Sequence, residues 1–161
     1  MAHIELRDLD DDDLDAVFDM LHDPDAVATA TFTTADAADR PSFDDWIASR
    51  RAAADVSLHV VTERGGFAGI ATASTAHGER EVTLWIARHA RGRGVATEAL
   101  RLLVSREATR PLFARVAASN AAGRAVLEKS GFTEAWRSTR HAPAVGRDAE
   151  EIVYTLVPAI E

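Results

Sequence analysis

The segment Arg91-Gly92-Arg93-Gly94-Val95-Ala96-Thr97-Glu98-Ala99-Leu100 has the make-up of an anion cradle. It follows the strand-like run Val82-Thr83-Leu84-Trp85-Ile86 and opens a helical run. Glycine lets a backbone come close to an anion, and the first N–H groups of a helix have no partner inside it. The helix dipole adds partial positive charge at that end, and Arg91 and Arg93 add two full charges. The predicted cargo is a small molecule carrying a pyrophosphate. The Walker pattern of Gly-Lys followed by Ser or Thr is absent, and Gly92-Arg93-Gly94 lacks the third glycine of a dinucleotide fingerprint. An ordinary tight turn with glycines at positive φ would use the same residues.

Periodicity gives the elements that must hold this turn. Ile4 and Leu6 alternate with Glu5 and Arg7, which predicts a first strand over His3–Leu9. Asp10-Asp11-Asp12-Asp13 precedes Leu14, Val17, Phe18 and Leu21 at helical spacing. With no ligand-spaced partner, the acidic run reads as a solvated helix cap rather than a metal site. His22 to Arg40 reads as a loop with some helix that could line a substrate cleft. A second helix starts at Pro41-Ser42-Phe43-Asp44-Asp45 with Ser42 as its cap. Ser57–Arg64, Phe67–Thr75 and Glu81–Ala87 form a predicted meander that turns at Gly65-Gly66 and His77-Gly78. After the glycine turn come a helix to about Ala108, a strand over Pro111–Ala117 and a helix over Asn120–Lys129 ended by Gly131. Two strands close the chain, Phe132–Ser138 and Glu151–Val157, with Arg140 to Asp148 joining them. No repeat or linker interrupts this order, so residues 1–161 read as one mixed α/β domain.

Composition narrows the function. A chain of 161 residues can bury one core, and 47% hydrophobic residues argue against disorder. A net charge of −8 makes it a poor nonspecific ligand for nucleic acid or an anionic membrane. Cysteine is absent, which removes disulfides, thiol nucleophiles and Cys-ligated metals. His59, His77, His89 and His141 lack paired metal spacing, so no metal is expected. No signal peptide or long apolar run is visible, and the expectation is a soluble, cytoplasmic protein, either alone or as a homodimer.

The second informative segment runs Val116-Ala117-Ala118-Ser119-Asn120-Ala121-Ala122-Gly123-Arg124-Ala125-Val126-Leu127-Glu128-Lys129-Ser130-Gly131-Phe132. Together the two segments resemble the GNAT superfamily of acyl-CoA-dependent N-acetyltransferases. That family's cofactor motif is Arg or Gln, two residues, Gly, one residue, then Gly or Ala; Arg91, Gly94 and Ala96 match it in order. Its next motif is matched by Asn120 at a strand end and by Glu128, Lys129, Gly131 and Phe132. Ala96-Thr97-Glu98-Ala99-Leu100 and Leu6-Arg7-Asp8-Leu9 are closest in style to the ribosomal-protein N-terminal acetyltransferase-like branch.

The resemblance implies a GNAT-type α/β (α+β) fold: a mixed, mostly antiparallel central sheet of about seven strands, with flanking helices. It also implies a cofactor cleft where the strands holding Val82–Ala87 and Leu112–Ala117 splay apart. Acetyl-CoA would be the cosubstrate. The residues implied for it are the backbone of Ile86 and Ala87, the turn Arg91, Gly92, Arg93, Gly94, Val95, Ala96 and Thr97, and then Asn120, Gly123 and Lys129. Pantetheine amides can pair with an open strand edge as a short strand would. Asn120 is equally a helix N-cap, and the two roles are compatible. The implied acceptor is the amine of a small molecule or of a peptide N-terminus.

Acetylating an amine requires a neutral nucleophile, and an alkyl ammonium has a pKa near ~10.4, so a base must take a proton. Glu81 is the expected base, because the resembling branch often carries an acidic residue there; Glu79 is its neighbouring alternative. Burial in the cleft would raise the Glu81 pKa toward the useful range. The developing oxyanion needs a backbone N–H, for which Ile86 is expected. The family's usual tyrosine acid falls at Leu127, and the serine of a related branch falls at Gly123, so both hydroxyls are missing. Tyr154, the single tyrosine, reads as a packed strand residue, and Ser119 and Ser130 have no motif support. Trp46, Trp85 and Phe32 read as core or cleft wall. Arg137, Arg140 and Arg147 either attract an acidic substrate or balance the acidic surface. Without a Cys nucleophile, the implied route is direct attack in a ternary complex. A module that binds acyl-CoA without turnover is the alternative reading.

Overall fold

The computed structural model describes residues 3–23, 39–142 and 146–158. Phe32 and most of the His22–Arg40 segment lie outside the described residues. Seven strands form one sheet: β1 (Ile4–Asp8), β2 (Ser57–Glu63), β3 (Gly66–Ala76), β4 (Glu79–Ile86), β5 (Leu112–Ala117), β6 (Thr133–Ala142) and β7 (Arg147–Leu156). Their spatial order is β1-β2-β3-β4-β5-β7-β6. Every neighbouring pair is antiparallel except β4 and β5. Four α-helices are described: α1 (Leu14–Leu21), α2 (Arg40–Ala52), α3 (Val95–Arg106) and α4 (Ala121–Lys129). The mixed, mostly antiparallel seven-stranded sheet implied by the resemblance is the sheet the chain forms.

Strand alternation divides the core between two faces. On one, Val82, Leu112, Ala114, Ile152 and Tyr154 pack with Val95, Ala99, Leu100 and Leu103 of α3 and Leu127 of α4. On the other, Val60, Ile70 and Trp85 pack with Val17 and Met20 of α1 and Phe43 and Ile47 of α2. Strand β4 therefore turns Val82 toward α3, and Glu81, Thr83 and Trp85 toward α2. No helix among the described residues is long and apolar enough to cross a membrane.

Several local details differ from the sequence expectation, each for a visible reason. Helix α2 is capped by Asp39, not Ser42: Asp39 is extended and its Oδ1 accepts the Ser42 N–H at 2.7 Å. The first hairpin turns on Arg64-Gly65, at φ 52° and 81°, because Gly66 is already paired with Glu63. The acidic run is only partly solvated. Asp10 and Asp13 cap a short 3₁₀ turn over Asp11–Asp13 reciprocally, and buried Asp13 takes both Arg7 Nη atoms at 2.7 and 2.8 Å. Strands β6 and β7 run on through most of the segment read as their connection, keeping register to Ala142↔Arg147. Cross-strand charge pairs support that extension, with Arg137 on Glu150 at 2.9 Å and Arg140 on Glu151 at 3.2 Å.

Candidate active site

The parallel pair β4–β5 holds register at only two positions, Arg80↔Leu112 and Glu81↔Phe113. Beyond Glu81 the strands part, while β5 stays paired to β7 over its whole length and β4 to β3 over its whole length. The gap opens between Val82–Ile86 and Ala114–Ala117, where the splay was expected. Ala87 donates its N–H to Ala68 O at 2.8 Å, so Ala87 is tied to β3 rather than to the gap. Backbone groups alternate sides along an antiparallel ladder, which turns the Ile86 amide away from β3 and toward the gap. Gly69 lies opposite Ile86; a Cβ there would sit 2.1 Å from the Trp85 carbonyl oxygen. Only glycine permits this approach, and it was not singled out in the sequence.

The turn after β4 has the predicted glycine geometry. Gly92 and Gly94 stand at φ 80° and 79°, and Gly94 precedes α3 without any side-chain cap. The first helical bond runs from Glu98 N–H to Gly94 O at 3.1 Å. Among the described residues, no amide from Gly92 to Thr97 donates to a protein acceptor. This is the arrangement that binds phosphate oxygens. The two arginines expected to bring full charges to the turn both have protein acceptors. Arg91 Nε donates to Ile86 O at 3.0 Å, tying the turn to the end of β4. Arg93 pairs with Glu63 at 2.7 Å and donates to His89 O at 2.9 Å.

Asn120 caps α4, its Oδ1 accepting the Gly123 N–H at 2.9 Å. A Cβ at Gly123 would meet Asn120 Nδ2 at 2.7 Å and Val116 Cγ2 at 3.1 Å, so glycine here is what seats the Asn120 side chain. Lys129 is exposed in the last turn, at the opposite end of α4 from Asn120. Leu127 is buried in the core. Tyr154 is 1% exposed; its hydroxyl donates to Glu128 at 3.1 Å and accepts from Arg124 at 3.3 Å. It is a packed strand residue, as its sequence context suggested. Ser130 donates to Val126 O at 2.8 Å.

Glu81 sits at the last paired position before the gap, with its side chain 22% exposed. Burial raises its pKa; the carboxylates of Glu151 and Glu79 push in the same direction, while Arg115 and Arg140 oppose them. Arg115 is the hub of this cluster, 3.6 Å from Glu81, 3.9 Å from Glu79 and 3.2 Å from Glu151. Sequence reading missed Arg115 and Glu151. The available signal was a lone charge, Arg115, inside the otherwise apolar run Leu112–Ala117; Glu151 stands beside Glu150 at the head of its apolar run and carried no such mark.

On the α2 side of the sheet, a cavity of about 170 Å³ reaches Glu81. Trp46 and Trp85 both line it, so these residues serve as cleft wall as well as core.

Residues 3–133 match the family described as acetyltransferase (GNAT) domain. The chain therefore belongs to the GNAT acetyltransferase family, whose enzymes move an acetyl group from acetyl-CoA to an amine. No curated protein matches the sequence. Solved structures share its fold. Spermidine N-acetyltransferase from Vibrio cholerae, in complex with CoA and spermine, superposes with a TM-score of 0.83 at 15% identity, covering 96% of this chain and 95% of that one. Mycobacterium smegmatis RimJ, in complex with CoA-disulfide, gives 0.82 at 24% identity over 96% of this chain and 81% of that one. Ribosomal-protein-alanine N-acetyltransferase from Brucella melitensis gives 0.79 at 22% identity over 96% and 99%.

Proposed function

We propose that this chain is a cytoplasmic, single-domain N-acetyltransferase in which Glu81 is the base. Its acceptor is the amine of a small molecule or of a peptide N-terminus, and attack is direct, within a ternary complex. One observation carries the reading. β4 leaves β5 directly after Glu81, so the base, the Ile86 amide and the glycine turn follow one another along one edge of one gap.

The fit to acetyl-CoA rests on the unengaged amides of Gly92–Thr97, which would hold the diphosphate. The edge of β4 would hold the pantetheine arm, and the Asn120 side-chain NH₂ would bond one of its carbonyls. The cosubstrate supplies the electrophile, an acetyl thioester. Ile86 N–H would donate to the carbonyl oxygen as charge develops there. Glu81, with its raised proton affinity, would take a proton from the acceptor ammonium and free its lone pair. With leucine at the usual tyrosine position and Tyr154 held by Glu128 and Arg124, the leaving thiolate takes its proton from the ammonium or from water.

The related structures include a polyamine acetyltransferase and a ribosomal-protein one, so acceptor choice lies in the side chains of the cavity rather than in the fold. The test is thiol release from acetyl-CoA on addition of amines, with the acetylated product read by mass. Release that depends on both amine and Glu81 is the expected result. Tight CoA binding with no release on any amine would make the chain a sensor instead.

A further inference from the structure

The cavity that reaches Glu81 is built for a second charge. Its floor is polar: Ser74 lies opposite Glu81 in register, and Thr72 lies opposite Thr83. These three hydroxyls make no hydrogen bond among the described residues, which leaves them for whatever occupies the space. Trp46 and Trp85 add apolar wall. Arg50 lines the same cavity from α2, its guanidinium 5.4 Å from the Trp46 ring centroid.

Arg50 differs from the other arginines of its helix. Arg40 pairs with Asp15 and Asp44, and Arg51 pairs with Asp11. Arg50 has no carboxylate partner and makes no hydrogen bond among the described residues. It is half-buried, so its charge has lost part of its water without gaining a counter-ion. The guanidinium lies over the Trp46 ring, and its N–H groups, bonded to no described residue, are available to an oxyanion, which such a fork takes with two parallel bonds.

We infer that the acceptor is a small zwitterionic amine, whose ammonium meets Glu81 and whose carboxylate or similar oxyanion pairs with Arg50. This rests on the reading of Glu81 as the acceptor end of the site. One molecule with both charges matches both walls. A polyamine would bring a second cation to Arg50 and be repelled, and a neutral monoamine would leave Arg50 unpaired. A peptide N-terminus carries its terminal carboxylate far from its amine.

The experiment measures kcat/KM with acetyl-CoA for glutamate, β-alanine and aminoethylphosphonate, each beside its ester. Spermidine and an alanine-starting peptide complete the panel. At least one free acid is expected to exceed its ester by about tenfold or more, the scale of one charged hydrogen-bonded pair. Arg50→Met should collapse that acid-to-ester ratio toward one, and Arg50→Lys should restore part of it. The carboxylate and phosphonate arms separate the two oxyanions. Equal use of acid and ester, preference for spermidine or the peptide, or a ratio unmoved by Arg50→Met would overturn the inference. If no amine is acetylated, the catalytic reading falls. Calorimetric binding of the same acids to wild type and Arg50→Met then decides the Arg50 inference alone, with equal affinities overturning it.

Discussion

Arg115 donates Nη1–H to Glu151 Oε1 at 3.2 Å, and the same guanidinium stops with Nε 3.6 Å from Glu81, with no hydrogen bond to it. Glu151 is 1% exposed and also meets Arg140 at 3.2 Å, so one buried carboxylate pairs with both guanidiniums. The base candidate is therefore left near a positive charge without being locked to it.

That relationship sets a pH prediction. A base whose proton affinity is raised works only above its raised pKa, so kcat/KM should fall on the acid side at a pH above the ordinary glutamate range. Arg115 and Glu151 should move this limb in opposite directions. Arg115→Met removes an attraction and shifts it to higher pH. Glu151→Gln removes a repulsion and frees Arg115 to bond Glu81, shifting it to lower pH. Glu79 and Arg140, which also act on Glu81, are retained in both variants. Shifts in the same direction would take Arg115 out of the environment of the base.

The glycine turn should govern cofactor affinity through its backbone. Gly94 sits at φ 79°, and a Cβ there would meet no protein atom within 4 Å. A β-branched residue at that φ costs about 1–2 kcal/mol and would turn the Val95–Thr97 amides away. Gly94→Val should thus weaken CoA binding about tenfold or more by calorimetry, while circular dichroism stays unchanged.

Gly69 should be intolerant for a different reason. Its missing Cβ is replaced by the Trp85 carbonyl, so Gly69→Ala must push β4 away. We expect a loss of about 1–3 kcal/mol in urea unfolding. Turnover should fall at the same time, because the displaced segment carries the Ile86 amide.

Asp13→Asn should test the pair that buried Asp13 makes with the more exposed Arg7. The guanidinium bonds hold the Asp13 carboxyl below its usual pKa. A carboxylate of that kind stabilises the fold at pH above its unfolded pKa and loses the contribution as pH falls through the lower, folded value. The variant should be less stable by about 1–3 kcal/mol at pH 7. The difference from wild type should shrink in acid; a constant difference from pH 7 to pH 2 would assign the effect to packing.

Much of this was legible in the sequence because it rests on local signals. Residues 91–100 combine glycines, a preceding strand and a helix start, all of which local chemistry dictates. The hairpin at His77-Gly78 and the Gly131 stop follow from left-handed backbone demands in the same way. What stayed hidden depends on partners distant in sequence. Arg115, Glu151 and Arg140 meet only because β7 inserts between β5 and β6, an order that periodicity does not encode. Gly69 is marked by contact with β4, not by any turn. Arg91 and Arg93 illustrate a limit of counting charges: both have protein acceptors, whose positions only the fold supplies.

Two rungs, Arg80↔Leu112 and Glu81↔Phe113, are the full ladder between the four strands on one side of the gap and the three on the other. A molecule bonded along that seam is a keystone as well as a reactant, since it ties two plates otherwise joined at one corner. Loading the enzyme with its coenzyme should stiffen amides on both banks, those of β4 and β5 alike, and raise the melting point. At one hundred times the dissociation constant, mass action alone adds about 2.7 kcal/mol. In this fold, cargo and scaffold are partly the same thing.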